Sequence, residues 1–420
     1  MNNFTTNTYK MKREIVNFSK KITNEGNIDK KYKKFIIDMI YGMNKSQDIL
    51  LSSIAHELDE KTKKVNIIER LSIHLAEELP KSINNNYLNL VFNNIGSNPV
   101  FLVDDSDVIK PLGEKFESMC IVRDGSSRKK NYEQGYHVCE IVALSEKMKQ
   151  PISVYSKVYS STEEKFNSTN NETQKGLDVT INKLNETGKI GLFIHDRGYD
   201  SNDLFNYYLK NKQHYIIRLT KKRNVYINGK KHNVGDIAKR KKGKVKINLQ
   251  FQNEMKECYA TCIKVKITAN KSNINLVLLY GLGEEPLIIA TNVPIKSKED
   301  VIRIARGYIN RWKIEEYFKF KKQEFGFENF RVRSLTSINN LNTILSYTIG
   351  FMAILYEKSN NNKFIKIIIT ESKSLKNKVS LWFYQISRGI AEILKNSRTG
   401  IRQWQGIVKR KEYNGQMSLF

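Results

Sequence analysis

The stretch YINRWKIEEYFKFKK, running from Tyr308 to Lys322, carries the reading of this chain. Within it Tyr308, Arg311, Glu315 and Lys322 follow one another at offsets of three, four and seven. On a continuous helix of about 3.6 residues per turn, these positions fall along one stripe. One carboxylate is then offered among two cations and a phenol on a rigid face, which suits a metal-bound phosphate better than a hydrophobic core. The plainer reading is a solvated charged face, as charged stripes usually are.

Two upstream runs change the balance. PVFLVDD (99–105) and KIGLFIHD (189–196) each read as a buried strand closing in acid. Asp104 ends the first, with Asp105, Ser106 and Asp107 directly after it, and Asp196 ends the second. Taken singly, a strand-end aspartate is a turn or cap residue. Adjacent parallel strands would, however, set Asp104 beside Asp196, and a helix packed on that sheet could bring Glu315 to the same point. Three carboxylates repel one another unless cations lie between them. All-oxygen ligands suit Mg²⁺ or Mn²⁺ rather than zinc. Two such ions about 3.5–4 Å apart would clamp the attacking and leaving oxygens of a phosphodiester. His195 adjoins Asp196, but alternation turns it to the opposite face, where a structural role is expected. Trp312, Trp382 and Trp404 are expected in the core.

Around this centre the chain divides into five segments. Residues 1–92 read as a helical region, from KKFIIDMIYGM through DILLSSIAHELDE to VNIIERLSIHLAEEL, with Pro80 closing the last piece. Residues 93–220 read as strand, strand, strand, helix, strand, helix, strand: PVFLVDD, YHVCEIVALSE, PISVYSKVYS, a helix over 163–184, KIGLFIHD, a short helix capped by Asp200 or Ser201, and HYIIRLT. That is the element order of a ribonuclease-H-like α/β fold. Residues 221–292 form a basic, β-rich insertion with a turn at Asn228-Gly229, or else an extended sheet edge with charged outward positions. Residues 293–333 return to the core, where SKED (297–300) resembles a capping box opening the long helix that bears Glu315. Residues 334–420 are helical again, with NLNTILSYTIGFMAILYEK and LWFYQISRGIAEILK followed by a basic tail.

Composition narrows the partners. The 420 residues are 40% hydrophobic, enough for a sizeable core. Lys and Arg number 71 against 43 Asp and Glu, a net charge of +28 that calls for a polyanion, most simply nucleic acid. No run of about 18 apolar residues suggests a membrane span, and the opening residues lack the apolar segment of a signal peptide. The expectation is a soluble intracellular protein. Cys120, Cys139, Cys258 and Cys262 show no zinc spacing and are expected to be reduced and structural.

These residues, together with DRGYDS (196–201), HYIIRL ending beyond Arg218, and PLIIATN (286–292), resemble the DDE transposases of bacterial insertion sequences. The likeness is to the branch marked by a Tyr-Arg-Glu-Lys signature, the insertion-sequence-four type, and it spans about residues 98–333. It implies Asp104, Asp196 and Glu315 as the catalytic, metal-binding triad, with Asp105 the competitor for first ligand. It implies two Mg²⁺ or Mn²⁺ ions, and Tyr308, Arg311, Lys322 and Arg218 as DNA contacts. The partners it implies are double-stranded DNA at terminal inverted repeats, target DNA, and a second copy of the chain in a homodimer. The site implied is the bacterial cytoplasm, on the nucleoid. The activity implied is cut-and-paste transposition by hydrolysis and transesterification. The alternatives are an inactive relative that only binds DNA and a structure-specific nuclease that cuts without joining.

Overall fold

A computed structural model gives the architecture and describes residues 2–24, 26–125, 131–251, 254–358, 362–372 and 382–413. Five helices come first: α1 (Asn2–Thr23), α2 (Lys30–Ser46), α3 (Leu51–Glu57), α4 (Lys64–Ala76) and α5 (Lys81–Phe92). Pro80 sits at the N-cap of α5, so it opens a further helix as well as closing the preceding segment. The sheet then begins with β1 (Val100–Ile109), β2 (Cys120–Arg123), β3 (Tyr132–Leu144) and β4 (Pro151–Tyr159). After α6 (Thr169–Glu186) come β5 (Leu192–His195), α7 (Asn202–Lys210) and β6 (His214–Arg218). α6 starts later than the expected residue 163, because the Ser168 hydroxyl accepts from the Asn171 amide and caps it there. At α7 the cap is Ser201, not Asp200.

The basic segment supplies β7 (Asn224–Ile227), β8 (Lys230–Asn233), the unforeseen α8 (Val234–Arg240), β9 (Val245–Phe251), β10 (Glu254–Ile267), β11 (Asn273–Tyr280) and β12 (Leu287–Thr291). Asn228 and Gly229 both take positive φ, 49° and 77°, as a two-residue hairpin between β7 and β8 requires. Helices α9 (Lys298–Ile309), α10 (Trp312–Glu324), α11 (Leu335–Glu357), α12 (Lys363–Glu371), α13 (Phe383–Lys395) and α14 (Ile401–Tyr413) complete the chain. Leu381, the first residue of the expected LWFYQ helix, lies outside the described residues.

All twelve strands among the described residues belong to one sheet, ordered β2-β3-β1-β5-β6-β12-β11-β10-β7-β8, with β4 on β3 and β9 on β10. β1, β5 and β6 run parallel, whereas β3 is antiparallel to β1 and β12 is antiparallel to β6. The basic segment therefore continues the central sheet through β12. Phe101, Leu102, Val103, Phe193, Ile194, Ile216 and Ile217 have no solvent exposure, the pattern of strands covered on both faces. A Cβ on Gly176 of α6 would meet the Tyr155 ring at 2.6 Å and Ile141 at 3.0 Å, so α6 packs on one face. A Cβ on Gly307 of α9 would meet Ile216 at 3.1 Å on the other. By strand alternation, odd-numbered residues of β1 and β5 face α6, and even-numbered ones face α9 and α10.

Two expectations need correction here. Asp104 does not end its strand: β1 runs on to Ile109, because β3 keeps pairing with it through Ile109↔Gly135. What stops at Val103 is the parallel pairing with β5. Trp382 is 39% exposed, stacked on Tyr356 at the surface, whereas Trp404 is buried. The four cysteines are free thiols, as expected. Among the described residues no helix is long and apolar enough to cross a membrane.

Gly135 lies between Ile109 of β1 and Cys120 of β2. A Cβ there would drive into the Val108 carbonyl oxygen and come within 2.8 Å of Val122. Gly135→Ala should lower the urea unfolding midpoint by an amount equivalent to about 1–3 kcal/mol. Gly283→Ala, with no atom within 4 Å of the added carbon, should leave it unchanged.

Candidate active site at the carboxyl end of the parallel strands

The register that closes the parallel ladder also places the acids. Val103 pairs with His195, so Asp104 and Asp196 each come one residue later and stand side by side where the ladder ends. Both are even-numbered and face α9 and α10. Asp105 and His195, one residue earlier or later, face α6. Asp105 is enclosed by Tyr199 and Cys139. His195 is fully buried, with Nε2 2.5 Å from the Tyr208 hydroxyl, and burial pushes its pKa down to about 3. It is a core residue, as strand alternation suggested.

The signature residues reach this edge from two helices, not one. Ser297 and Asp300 form the anticipated capping box, but it opens α9, which ends at Ile309. Glu315 belongs to α10, which begins at Trp312. At the junction the amides of Arg311, Lys313 and Ile314 bond three residues back, each at 3.0 Å, a tightened turn that interrupts the helix. Tyr308 thus comes from the last turn of α9, Arg311 from the junction, and Glu315 and Lys322 from opposite ends of α10.

Arg311 donates through Nη1 to Asp104 Oδ2 at 3.1 Å and through Nη2 to Glu315 Oε1 at 2.6 Å. The Tyr308 hydroxyl donates to Asp196 Oδ1 at 3.1 Å, and Arg218 Nη1 lies 3.8 Å from the same oxygen. Asp104 and Glu315 thereby share Arg311, and Asp196, on the neighbouring strand, is held by Tyr308 beside Arg218. Lys322 is turned toward the protein: its Nζ donates to the Asp107 carbonyl at 2.5 Å and pairs with Glu328 Oε1 at 3.1 Å. Glu315 and Asp196 are the accessible acids, at 43% and 36% side-chain exposure against 21% for Asp104.

Electrostatics follow from this crowding. Burial, opposed by Arg311 and reinforced by the Asp105 and Asp196 carboxylates, pushes Asp104 up to about 7. Burial raises Tyr308 to about 12, with Asp196 adding to it. For Arg311, burial works against the charge, but Tyr308, Asp104, Glu315 and Asp196 together outweigh it and hold the guanidinium protonated.

The donor chemistry fits a hard divalent cation. Asp104 and Asp196 supply only carboxylate oxygens from neighbouring strands, and their mutual repulsion is relieved by positive charge. In the present side-chain arrangement that charge is the Arg311 guanidinium. Among the described residues no three acidic, histidine or cysteine groups are close enough to enclose one ion together. Asp104 and Asp196 would hold it, and Glu315 would join on leaving Arg311.

Other charged groups near the site were not anticipated. Asp200 accepts from the Thr220 amide at 2.8 Å and from Arg223 Nε at 2.7 Å, tying the loop after Asp196 to the start of the basic strands. Lys321 and Glu140 form a fully buried pair beneath α10. Asp200 lies in the DRGYDS stretch, where only a cap role was expected of it, and Glu140 stands at no strand end and in no spacing motif, so no local pattern marks it.

Asp105 supplies a titration test. Burial, partly offset by the neighbouring Tyr199 hydroxyl and Cys139 thiol, raises its carboxyl from 3.8 to about 6. Below the unfolded value both states hold the proton and nothing is lost. Above about 6 both have released it and the folded state bears the full penalty, on the order of 3 kcal/mol. Asp104, raised to about 7, adds a decline of the same sign, so unfolding free energy measured in urea should fall between pH 4 and pH 7, and Asp105→Asn should remove only the Asp105 share and make the decline shallower.

No curated protein sequence matches this chain. A family model described as the transposase DDE domain matches residues 98–349, from just before β1 through α9 and α10 into α11, more than half of the chain. With the acids gathered at the end of its parallel strands, the chain belongs to the DDE transposase family.

Proposed function

We propose that this protein is the transposase of an insertion sequence, of the Tyr-Arg-Glu-Lys branch (insertion-sequence-four type). It would cut DNA at terminal inverted repeats and join the released 3′ ends to target DNA. The observation that carries the reading is the cluster in which Arg311 joins Asp104 to Glu315 while Tyr308 holds Asp196 one strand away. A ribonuclease-H-like core is supported by the strand sequence β4-β3-β1-β5-β6, with β1, β5 and β6 parallel and α6 and α7 on the crossovers. Residues 221–292 stand in this reading as the insertion between the second acid and the glutamate helix, between helical regions 1–92 and 334–420.

Asp104, Asp196 and Glu315 would hold two Mg²⁺ or Mn²⁺ ions. When bound, such ions supply activation of water or of a 3′-hydroxyl and stabilisation of the departing oxygen. The chain's own residues position the DNA. Tyr308 fixes the rotamer of Asp196 through its hydroxyl, and Arg218 adds charge at the same oxygen. Arg311 offers a bidentate fork suited to a phosphate, and Lys322 would add a further cation only on leaving the Asp107 carbonyl and Glu328. Strand transfer needs no nucleotide cofactor, because each transesterification exchanges one phosphodiester for another. A homodimer bridging two element ends, working on the bacterial nucleoid, completes the proposal, and the net charge of +28 supports a DNA partner.

Purified protein with Mg²⁺ should nick DNA carrying the element's inverted repeats and transfer the 3′ ends to a target plasmid. Nicking without joining would point instead to a nuclease, and sequence-specific binding without nicking to an inactive relative. Glu315→Gln should abolish cleavage while leaving end binding within about threefold, since Glu315 is not a phosphate contact. Parallel loss of binding in a mobility-shift titration would show it to be structural. The logarithm of the binding constant should fall steeply and linearly with the logarithm of salt concentration as phosphate counterions are released. A flat response would remove the charge argument.

A further inference from the structure

Lys321 and Glu140 are 1% and 0% exposed, and Lys321 Nζ lies 3.0 Å from Glu140 Oε2. Lys321 Nζ also donates to Asn342 Oδ1 at 2.7 Å and to Ser156 Oγ at 3.2 Å. Ser156 donates to Glu140 Oε2 at 2.7 Å, and Ser153 donates a short bond to Oε1. Asn342 Nδ2 closes the circuit on Ser156 Oγ at 2.7 Å. The network joins α10, β3, β4 and α11 at one buried point.

The backbone is shaped to build it. Ser153 and Ser156 are three residues apart, so on a regular strand they would face opposite ways. Between Ile141 and Val142 the β3–β4 register shifts: Glu140 pairs with Ser156, Ile141 with Tyr155 and Val142 with Ser153, leaving Val154 as the extra residue. That bulge turns both hydroxyls toward Glu140. Glu140 in turn pairs across the ladder with Asp104, so their side chains lie next to each other on the face that α10 covers.

Stability does not account for this arrangement. A buried ion pair gives back much of its attraction as lost hydration, and well-packed apolar residues of similar volume often serve as well or better. Direction is what the pair adds. The buried face of α10 carries Ile314, Tyr317 and Phe320, the last two packed on Phe383 of α13, and apolar contacts of this kind tolerate small slides. A one-residue slip would turn Glu315 by about 100° about the helix axis. We propose that the Lys321–Glu140 network is a positioning element that sets the register of α10 on the sheet and thereby aims Glu315 at Asp104 and Asp196. This rests on the functional reading above for its consequence in catalysis, though not for its structural content.

The test replaces both charges by apolar residues, Lys321→Met with Glu140→Leu. Spin labels at Gln134→Cys and Lys319→Cys, both exposed positions, in a Cys262→Ser background, report the distance between β3 and α10. A single narrow distance distribution is expected for the parent, and a shifted or broadened one for the double variant, in the folded protein with cooperative unfolding retained. The cleavage rate at saturating DNA should fall about 100-fold with the DNA Kd unchanged, as for a catalytic group misplaced by about 1 Å. An unchanged distribution overturns the inference whether or not the parent proves to cut DNA. An unchanged distance with lost cleavage overturns it too. Should the apolar pair fail to fold, Lys321→Gln with Glu140→Gln keeps hydrogen-bonding capacity, but glutamine at 321 is too short to reach the side-chain amide at position 140. The same broadening is expected there, and a parent-like distribution again overturns the proposal.

Discussion

Two carboxylates standing side by side where the parallel pairing of β1 and β5 stops repel each other, and the groups around them answer that repulsion. Asp104 and Asp196 cannot move apart, because the register Val103↔His195 holds their backbones in one ladder. Burial makes the problem sharper for Asp104, whose carboxyl is held near neutrality. The response is positive charge and hydrogen-bond donors brought in from α9, α10 and β6: Arg311, Tyr308 and Arg218. The negative charge of the acids suits the site to divalent cations, whereas Arg311 and Arg218, which offset that charge, are the groups that could meet a phosphate.

Arg311 has a double place in this arrangement. Its guanidinium satisfies Asp104 and Glu315 together, which stabilises the folded chain, yet it occupies the carboxylate oxygens that would face a metal. Phosphate competes well for such a fork. In the proposed reading, assembly of a metal centre and engagement of DNA would be linked through this one side chain, and Glu315 is the most exposed of the three acids.

The support for the site is spread through the molecule. α10 is held to the sheet at three points, by Arg311 on Asp104, Lys321 on Glu140 and Lys322 on the Asp107 carbonyl. Asp200 fastens the loop after Asp196 to the base of the basic strands. Asp38, buried in α2, accepts from Arg402 of α14, so the first and last helical regions close on one another. These long-range pairs make the position of a few acids a property of the whole chain.

The strong local signals were readable from residue order. Apolar runs marked β1, β5 and β6, the capping box marked the start of α9, and Asn228-Gly229 marked a hairpin, because each rests on backbone geometry within a few residues. Alternation likewise separated His195 from Asp196, whereas Asp104 and Asp105 stayed competitors until strand pairing set their faces. The break at Asn310–Arg311 is not marked in the sequence, since a single asparagine is a weak stop signal within a helical run, while α9 packs on β6 and α10 on β1. The extension of β1 to Ile109 depends on pairing with β3, and the buried Lys321–Glu140 pair joins residues 181 positions apart. Such features arise when distant segments meet in low dielectric, where pairing and burial override local preference. Periodicity and short motifs carry no trace of them, because the physical cause lies between elements rather than within one.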